Sequence, residues 1–173
     1  MENAQFTELI RQHVGLIHKI AYAYCRDATD REDVVQETLV QLWRSRDRYD
    51  ERYRQATWIY RIALNVAISF HRRERRHQER RTAIDEHPIA VAEAVEPGED
   101  VQLLLRCVDA LGALDKALVL LYLDGNDHAS IADVLGISVS NVGTKLGRIK
   151  ERLRLAFEER ARSDRKERPH AAR

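Results

Sequence analysis

Four aromatic residues, Tyr49, Tyr53, Trp58 and Tyr60, lie among Arg52, Arg54 and Arg61. Rings interleaved with guanidinium groups suit single-stranded nucleic acid. Bases stack on the rings, for about 1–3 kcal/mol each, while the cations follow the phosphates. For Trp58 the competing reading, burial in a core, is the stronger one. The basic character continues downstream: nine arginines (52, 54, 61, 72, 73, 75, 76, 80 and 81) face only two acids, Glu74 and Glu79, up to Arg81. From Ala83 to Leu103 the balance reverses, with six acids (Asp85, Glu86, Glu93, Glu96, Glu99 and Asp100) and no lysine or arginine. The net charge of +1 hides this segregation, which suggests a nucleic-acid surface followed by an acidic tether.

A second constellation runs from His128 to Lys150. Ala132 is small where two helices must approach closely. Gly136, four residues on, suits the left-handed conformation that ends a helix, and Ser138 suits the cap of the next. Ile131, Leu135, Ile137, Val142 and Leu146 supply an apolar frame between the two. Together these features predict a helix-turn-helix. Its second helix begins near Val139 and turns Ser140, Asn141, Thr144, Lys145 and Arg148 outward. Short polar side chains near its start suit base edges, and Lys145, Arg148 and Lys150 suit phosphates. A plain helical hairpin with a charged face is the blander reading. The coincidence of turn signature and polar face favours DNA.

Covalent chemistry has little support. Carboxylates are plentiful, yet none is paired in a recognisable apolar pocket, and no glycine loop is built to cradle phosphate, so no enzyme and no cofactor is expected. Cys25 and Cys107 are far apart, and no Cys/His pair has metal-ligand spacing; His71 and His77 are not at i,i+4. No metal site is expected, and the two cysteines read as thiols rather than a disulfide. No run of apolar residues is long enough to span a bilayer, and Met1-Glu-Asn-Ala-Gln lacks a signal-peptide layout, so the expectation is a cytoplasmic protein without membrane insertion.

The elements that must position these groups are helical. Only seven glycines and three prolines occur in 173 residues, and no useful length shows strand alternation. Leu9, Ile10, His13, Leu16, Ile17, Ile20 and Ala21 form one stripe of a helix from Phe6 to about Cys25. Asp30 is placed as the cap of a second helix reaching about Arg46, with Val34, Val35, Leu39, Leu42 and Trp43 on its apolar face. After a polar loop, Thr57 is placed as the cap of a third helix that buries Trp58, Ile59, Ile62, Ala63, Val66, Ala67 and Phe70 and continues, highly charged, to about Arg81. The fold class is therefore all-α: two small helical domains, at 1–82 and 101–160, joined by a flexible acidic linker at 83–100, the C-terminal domain being a helix-turn-helix. A disordered tail is expected at 161–173.

Three motifs in series carry a family resemblance. Glu32-Asp-Val-Val-Gln-Glu-Thr-Leu-Val-Gln-Leu-Trp-Arg comes first. Thr57-Trp-Ile-Tyr-Arg-Ile-Ala-Leu-Asn-Val-Ala-Ile with its basic run follows, and then the helix-turn-helix with Asn141-Val-Gly-Thr-Lys-Leu. In this order the chain resembles the extracytoplasmic-function (ECF) group of sigma-70 factors from about Phe6 to Phe157. The resemblance implies a sigma factor that binds core RNA polymerase, directs promoter-specific initiation and melts the -10 element. Asp33, Gln36, Glu37, Val40 and Trp43 would meet the coiled coil of the polymerase beta-prime subunit. Tyr53, Arg61 and Asn65, with the loop from Asp47 to Gln55, would melt the -10 element and hold a flipped base. Arg72, Arg73 and Arg76 would meet the -10 duplex. Ser140, Asn141, Thr144, Lys145 and Arg148 would read the -35 element, and Leu114 to Leu123 would help seat that domain on the beta flap. An anti-sigma factor is a further implied partner.

The chain departs from the family at several points. Where the family often has Leu-Pro before a conserved arginine, the chain has Leu114-Asp115-Lys116-Ala117; His128 replaces an aromatic, and Gly143 and Gly147 stand in the recognition helix. The main alternative is a stand-alone helix-turn-helix transcriptional regulator, which would not need the block from Trp58 to Arg81. A helical adaptor with no DNA binding is a third reading.

Overall fold

The computed structural model describes residues 2–81 and 99–167. Seven α-helices are present among them: α1 (Asn3–Tyr24), α2 (Ala28–Ser45), α3 (Gln55–Arg81), α4 (Glu99–Asp109), α5 (Ala113–Leu123), α6 (His128–Leu135) and α7 (Val139–Glu167). A single 3-10 turn, Arg46–Arg48, follows α2. No strand occurs among the described residues. The chain divides into two compact units, Met1–Ala90 and Val91–Arg173. Of the linker expected at 83–100, residues 83–98 lie outside the described residues, as do residues 168–173 of the tail expected at 161–173. Glu99 and Asp100, placed in the linker from sequence, open α4. At the other end α7 continues past Ala161 to Glu167; no proline interrupts it before Pro169.

In the first unit α1, α2 and α3 pack on one another. Ile17, Ile20 and Ala21 of α1 meet Val34 and Leu42 of α2 and Ile59, Ala63, Leu64 and Ala67 of α3, all nearly sealed from solvent. Each large aliphatic side chain so buried contributes about 1.5–3 kcal/mol. Because α3 touches both partners, it buries two adjacent stripes, Ile59/Ala63/Ala67 and Tyr60/Leu64. The single stripe expected from sequence left out Tyr60 and Leu64. Thr38 is also fully buried; its hydroxyl donates to the Val34 carbonyl at 2.7 Å, so it enters the core without an orphaned polar group.

Helix starts differ by a turn from the sequence reading. The cap of α2 is Asp27, not Asp30: its carboxylate accepts the amides of Thr29 at 2.9 Å and Asp30 at 3.4 Å. Those bonds hold the Asp27 carboxyl below the usual carboxylate range. Asp30 lies within the first turn, and burial, followed by Glu74, Asp27 and Asp33, pushes its carboxyl upward. Similarly, α3 begins at Gln55, two residues before the expected Thr57 cap.

In the second unit α5, α6 and α7 share a core of Ala117, Leu118, Leu121, Ile131, Ala132, Val134, Val142, Leu146 and Ile149, and α4 packs on α5 and α7. Gly136 adopts φ +67°, and the amides of Gly136 and Ile137 both donate to the Ala132 carbonyl, at 2.9 and 3.2 Å. This turn ends α6 and redirects the chain into α7. The Ser138 hydroxyl accepts the Asn141 amide at 3.2 Å at the new start. Farther along α7, Arg154 pairs with Glu151 at 2.7 Å and with Glu158, the i,i+3 and i,i+4 spacings that support a solvent-exposed helix.

Candidate nucleic-acid interface

Two surfaces carry the groups singled out in the sequence. The first lies on α3 and the loop before it. Residues 61, 65, 69, 72, 73 and 76 recur at three and four, so Arg61, Asn65, Ser69, Arg72, Arg73 and Arg76 share one side of α3. Asn65, Ser69, Arg72, Arg73 and Arg76 are exposed, and Arg61 is half-buried. Tyr53, 42% exposed, lies beside this stripe with the Arg61 guanidinium 5.5 Å from its ring centre.

The loop that presents Tyr53 is braced from within. The Tyr49 hydroxyl donates to the Tyr53 carbonyl at 2.7 Å, and the Tyr49 ring packs on Trp58 with centroids 5.1 Å apart. The Arg52 guanidinium donates to both Asp50 oxygens, at 2.6–3.0 Å, which holds the Asp50 carboxyl low. Of the four aromatics, Tyr53 alone is exposed; Tyr60 is 5% exposed and belongs to the core, and Tyr49 and Trp58 form the brace.

The expected partner residues lie on α2. Asp33, Gln36 and Glu37 are exposed, as are Val40 at 40% and Trp43 at 39%. Trp43, which the sequence also placed on the apolar face, is instead gripped at its sides: Phe6 meets it edge-on at 5.2 Å and Arg46 lies 3.9 Å over its ring. A groove of about 1040 Å³ separates α2 from α3, lined by Asp33, Gln36, Glu37 and Val40 on one side and Asn65, Phe70 and Arg73 on the other. Four residues of the first set thus share one groove with Asn65 and Arg73 of the second, while Trp43, Tyr53, Arg61, Arg72 and Arg76 are not part of its lining.

The second surface is α7. Val142, Leu146 and Ile149 point into the core, and Ser140, Asn141, Thr144 and Arg148 are exposed away from them. The Thr144 hydroxyl donates to the Ser140 carbonyl at 3.0 Å, leaving its oxygen as an acceptor. Lys145 is only 28% exposed, and its ammonium donates to Asp115 of α5 at 2.8 Å. Lys150 donates to the Tyr122 hydroxyl at 3.0 Å and lies 4.4 Å from that ring's centre. Sequence periodicity gave no sign of either tie, because each spans about thirty residues.

Among the described residues no three His, Cys, Asp or Glu side chains are grouped to hold a metal ion, and no helix is long and apolar enough to cross a membrane. Cys25 is buried, and burial pushes its thiol up to about 11; Cys107 is half-exposed, and both are free.

Comparison with known proteins agrees with this geometry unit by unit. The model of sigma-70 region 2 matches residues 9–77, and that of sigma-70 region 4 matches residues 101–153. The RNA polymerase sigma factor CnrH of Cupriavidus metallidurans is 31% identical over 160 residues, covering 86% of this chain and 84% of the relative. The ECF RNA polymerase sigma factor SigE of Mycolicibacterium smegmatis is 28% identical, covering 85% of this chain and 59% of the relative. The sigma factor RpoE of Bartonella quintana, solved in complex with the anti-sigma factor NepR, has the same fold, with a TM-score of 0.72 at 19% identity over 89% of this chain and 97% of that one.

Proposed function

The chain belongs to the sigma-70 family, in its ECF group of RNA polymerase sigma factors, and we propose a division of labour between its two units. The first, residues 1–82, docks on core polymerase through Asp33, Gln36, Glu37, Val40 and Trp43. It also opens the -10 element. Tyr53 offers a stacking face, Arg61 supports that ring and adds charge, and Asn65 supplies an amide that both donates and accepts toward an unstacked base. Arg72, Arg73 and Arg76 extend the same side of α3 along the adjoining duplex. Extruding a base costs a few kcal/mol, least at easily unstacked steps, and stacking on Tyr53 offsets part of that cost. The second unit, residues 101–160, places α7 in the major groove at the -35 element, with α5 seated on the polymerase flap. Ser140, Asn141 and Thr144 read base edges, and Arg148 anchors to phosphate.

The observation that carries this reading is the exposed Tyr53 ring backed by the half-buried Arg61, in line with Asn65 and three exposed arginines. A stand-alone regulator has no use for such a surface. The groove between α2 and α3 suits an anti-sigma protein that would compete with polymerase for the same acid and amide side chains. No step calls for catalysis, a cofactor or membrane insertion, and the work takes place in the cytoplasm, where polymerase and chromosome meet.

The test is co-purification with core RNA polymerase, then transcription from a pool of genomic promoter fragments. Binding to core together with specific start sites is the expected result. Tight binding to promoter duplex without polymerase would hand the function to the stand-alone regulator.

A further inference from the structure

We propose that Asp115 and Lys145 act as a positioning pair, setting the rotation of α7 about its own axis so that Asn141, Thr144 and Arg148 meet DNA in register. The inference rests on the reading of α7 as the duplex-reading helix. It removes Lys145 from the phosphate contacts and gives the acid at position 115 a role.

The geometry is specific. At 3.6 residues per turn, Thr144 lies opposite the buried stripe of Val142, Leu146 and Ile149, Asn141 and Arg148 lie on the side between, and Lys145 lies at the edge of the stripe, where it reaches α5. Its ammonium meets the Asp115 carboxylate at 2.8 Å, with both side chains between one quarter and one third exposed. A pair this wet adds little net stability. A short charge-assisted bond nevertheless restricts direction, which apolar burial, being non-directional, does not.

The neighbouring residue reinforces the arrangement. Lys116, 7% exposed, donates to Asp109 of α4 at 2.8 Å. The Asp115-Lys116 step therefore ties the first turn of α5 to α7 on one side and α4 on the other. This is the place where the chain departs from Leu-Pro. Asp115 also lies in the first turn of α5, where the helix dipole favours a carboxylate.

The experiment uses the full chain assembled with core polymerase on the strongest promoter fragment from the genomic pool. Affinity is measured over a range of salt concentrations, and each variant's fold is checked by thermal melting. Asp115→Lys and Lys145→Asp should each lower affinity about tenfold, and the double reversal should regain most of it. Lys145→Gln should leave the slope of log affinity against log salt unchanged, while Arg148→Ala should flatten it by about 0.9. A slope flattened by Lys145→Gln, with no rescue in the double reversal, would make Lys145 a phosphate contact and overturn the inference. If a reversal variant misfolds, the Lys145→Gln slope decides alone: an unchanged slope keeps the inference and a flattened one overturns it. Should Arg148→Ala and Asn141→Ala change neither affinity nor slope, the reading of α7 itself would fall instead.

Discussion

The Arg46 guanidinium lies 3.9 Å from the centre of the Trp43 ring, on the turn that ends α2. It also donates to the Trp43 carbonyl at 2.9 Å, and so closes the helix end and fixes the indole with one side chain. Phe6 holds the ring from the α1 side. Trp43 is thus pre-set, with 39% of it left exposed. Arg46→Ala should cost about 1–2 kcal/mol in urea denaturation, from the lost stacking and the lost charged hydrogen bond. It should also weaken binding to core polymerase in a titration. Arg46→Lys should recover little, because an ammonium lacks the planar face. Core affinity untouched by Arg46→Ala would mean that the orientation of Trp43 is not used in docking.

Arg61→Ala combined with Asn65→Ala should impair strand opening while sparing polymerase binding. Neither side chain belongs to the sealed core, so the fold should survive. Tyr53 keeps its stacking face, and loss of the Arg61 support and the Asn65 hydrogen bonds should cost about 1–3 kcal/mol, or roughly five- to 150-fold in open complex. Permanganate reactivity of unpaired thymines would report opening, and co-purification would report docking. Equal loss of both would count against a melting role for this part of α3.

Much of this architecture was legible in the sequence, and the misses share a cause. Gly136 and Ser138 announced the turn because their roles are local: a left-handed residue and a cap act within four residues. The α1 stripe was legible because one face is buried. Tyr60 and Leu64 were missed because α3 packs on two helices, and periodicity cannot say how many neighbours a helix has. Asp27 and Asp30 both fit a cap, and the choice between them depends on where the α1–α2 connection ends. The tie of Lys145 to Asp115 could not be read, because that partner lies thirty residues away on another helix.

The Asp27 cap makes a pH prediction. Its carboxyl is lowered in the folded state by the amides of Thr29 and Asp30, so the folded protein binds that proton less readily than the unfolded chain does. The contribution to stability is therefore present above the ordinary aspartate pKa, about 3.9, and is lost as pH falls through the lowered folded value. Asp27→Asn, which keeps an oxygen acceptor, should retain most of the stability at neutral pH and flatten its acid limb. Asp27→Ala should lower the melting temperature by a few degrees at pH 7. Thermal melts from pH 7 to 3 on the three proteins would settle it, and parallel acid limbs would contradict the cap's role.

The two thiols should separate cleanly. Cys25 is 3% exposed and burial raises its thiol to about 11, so almost no thiolate forms at neutral pH and a reagent cannot reach what does. Cys107 is half-exposed on α4. Under native conditions iodoacetamide should modify Cys107 first, and Cys25 only after denaturant is added, as read by peptide mass. Early labelling of Cys25 would show that the first unit opens locally around the end of α1.

Gly147 offers a test that separates stability from function. It stands on the exposed side of α7, and a methyl group added there would meet nothing within 4 Å. Its helical backbone needs no glycine, so Gly147→Ala should stabilise the second unit by about 1 kcal/mol through helix propensity alone. Gly136→Ala is the opposite case: its φ of +67° strains any side chain, and the substitution should destabilise by about 1–2 kcal/mol. If α7 lies deep in the major groove, the extra methyl at 147 should weaken promoter binding by the holoenzyme even as it raises the melting temperature. A protein both more stable and worse at binding DNA cannot be explained by folding damage. The glycine would then be kept because the helix backbone passes close to the duplex. If Gly147→Ala stabilises the unit and leaves promoter affinity unchanged, this side of α7 faces solvent in the complex, and the contacts must lie nearer Asn141 and Thr144.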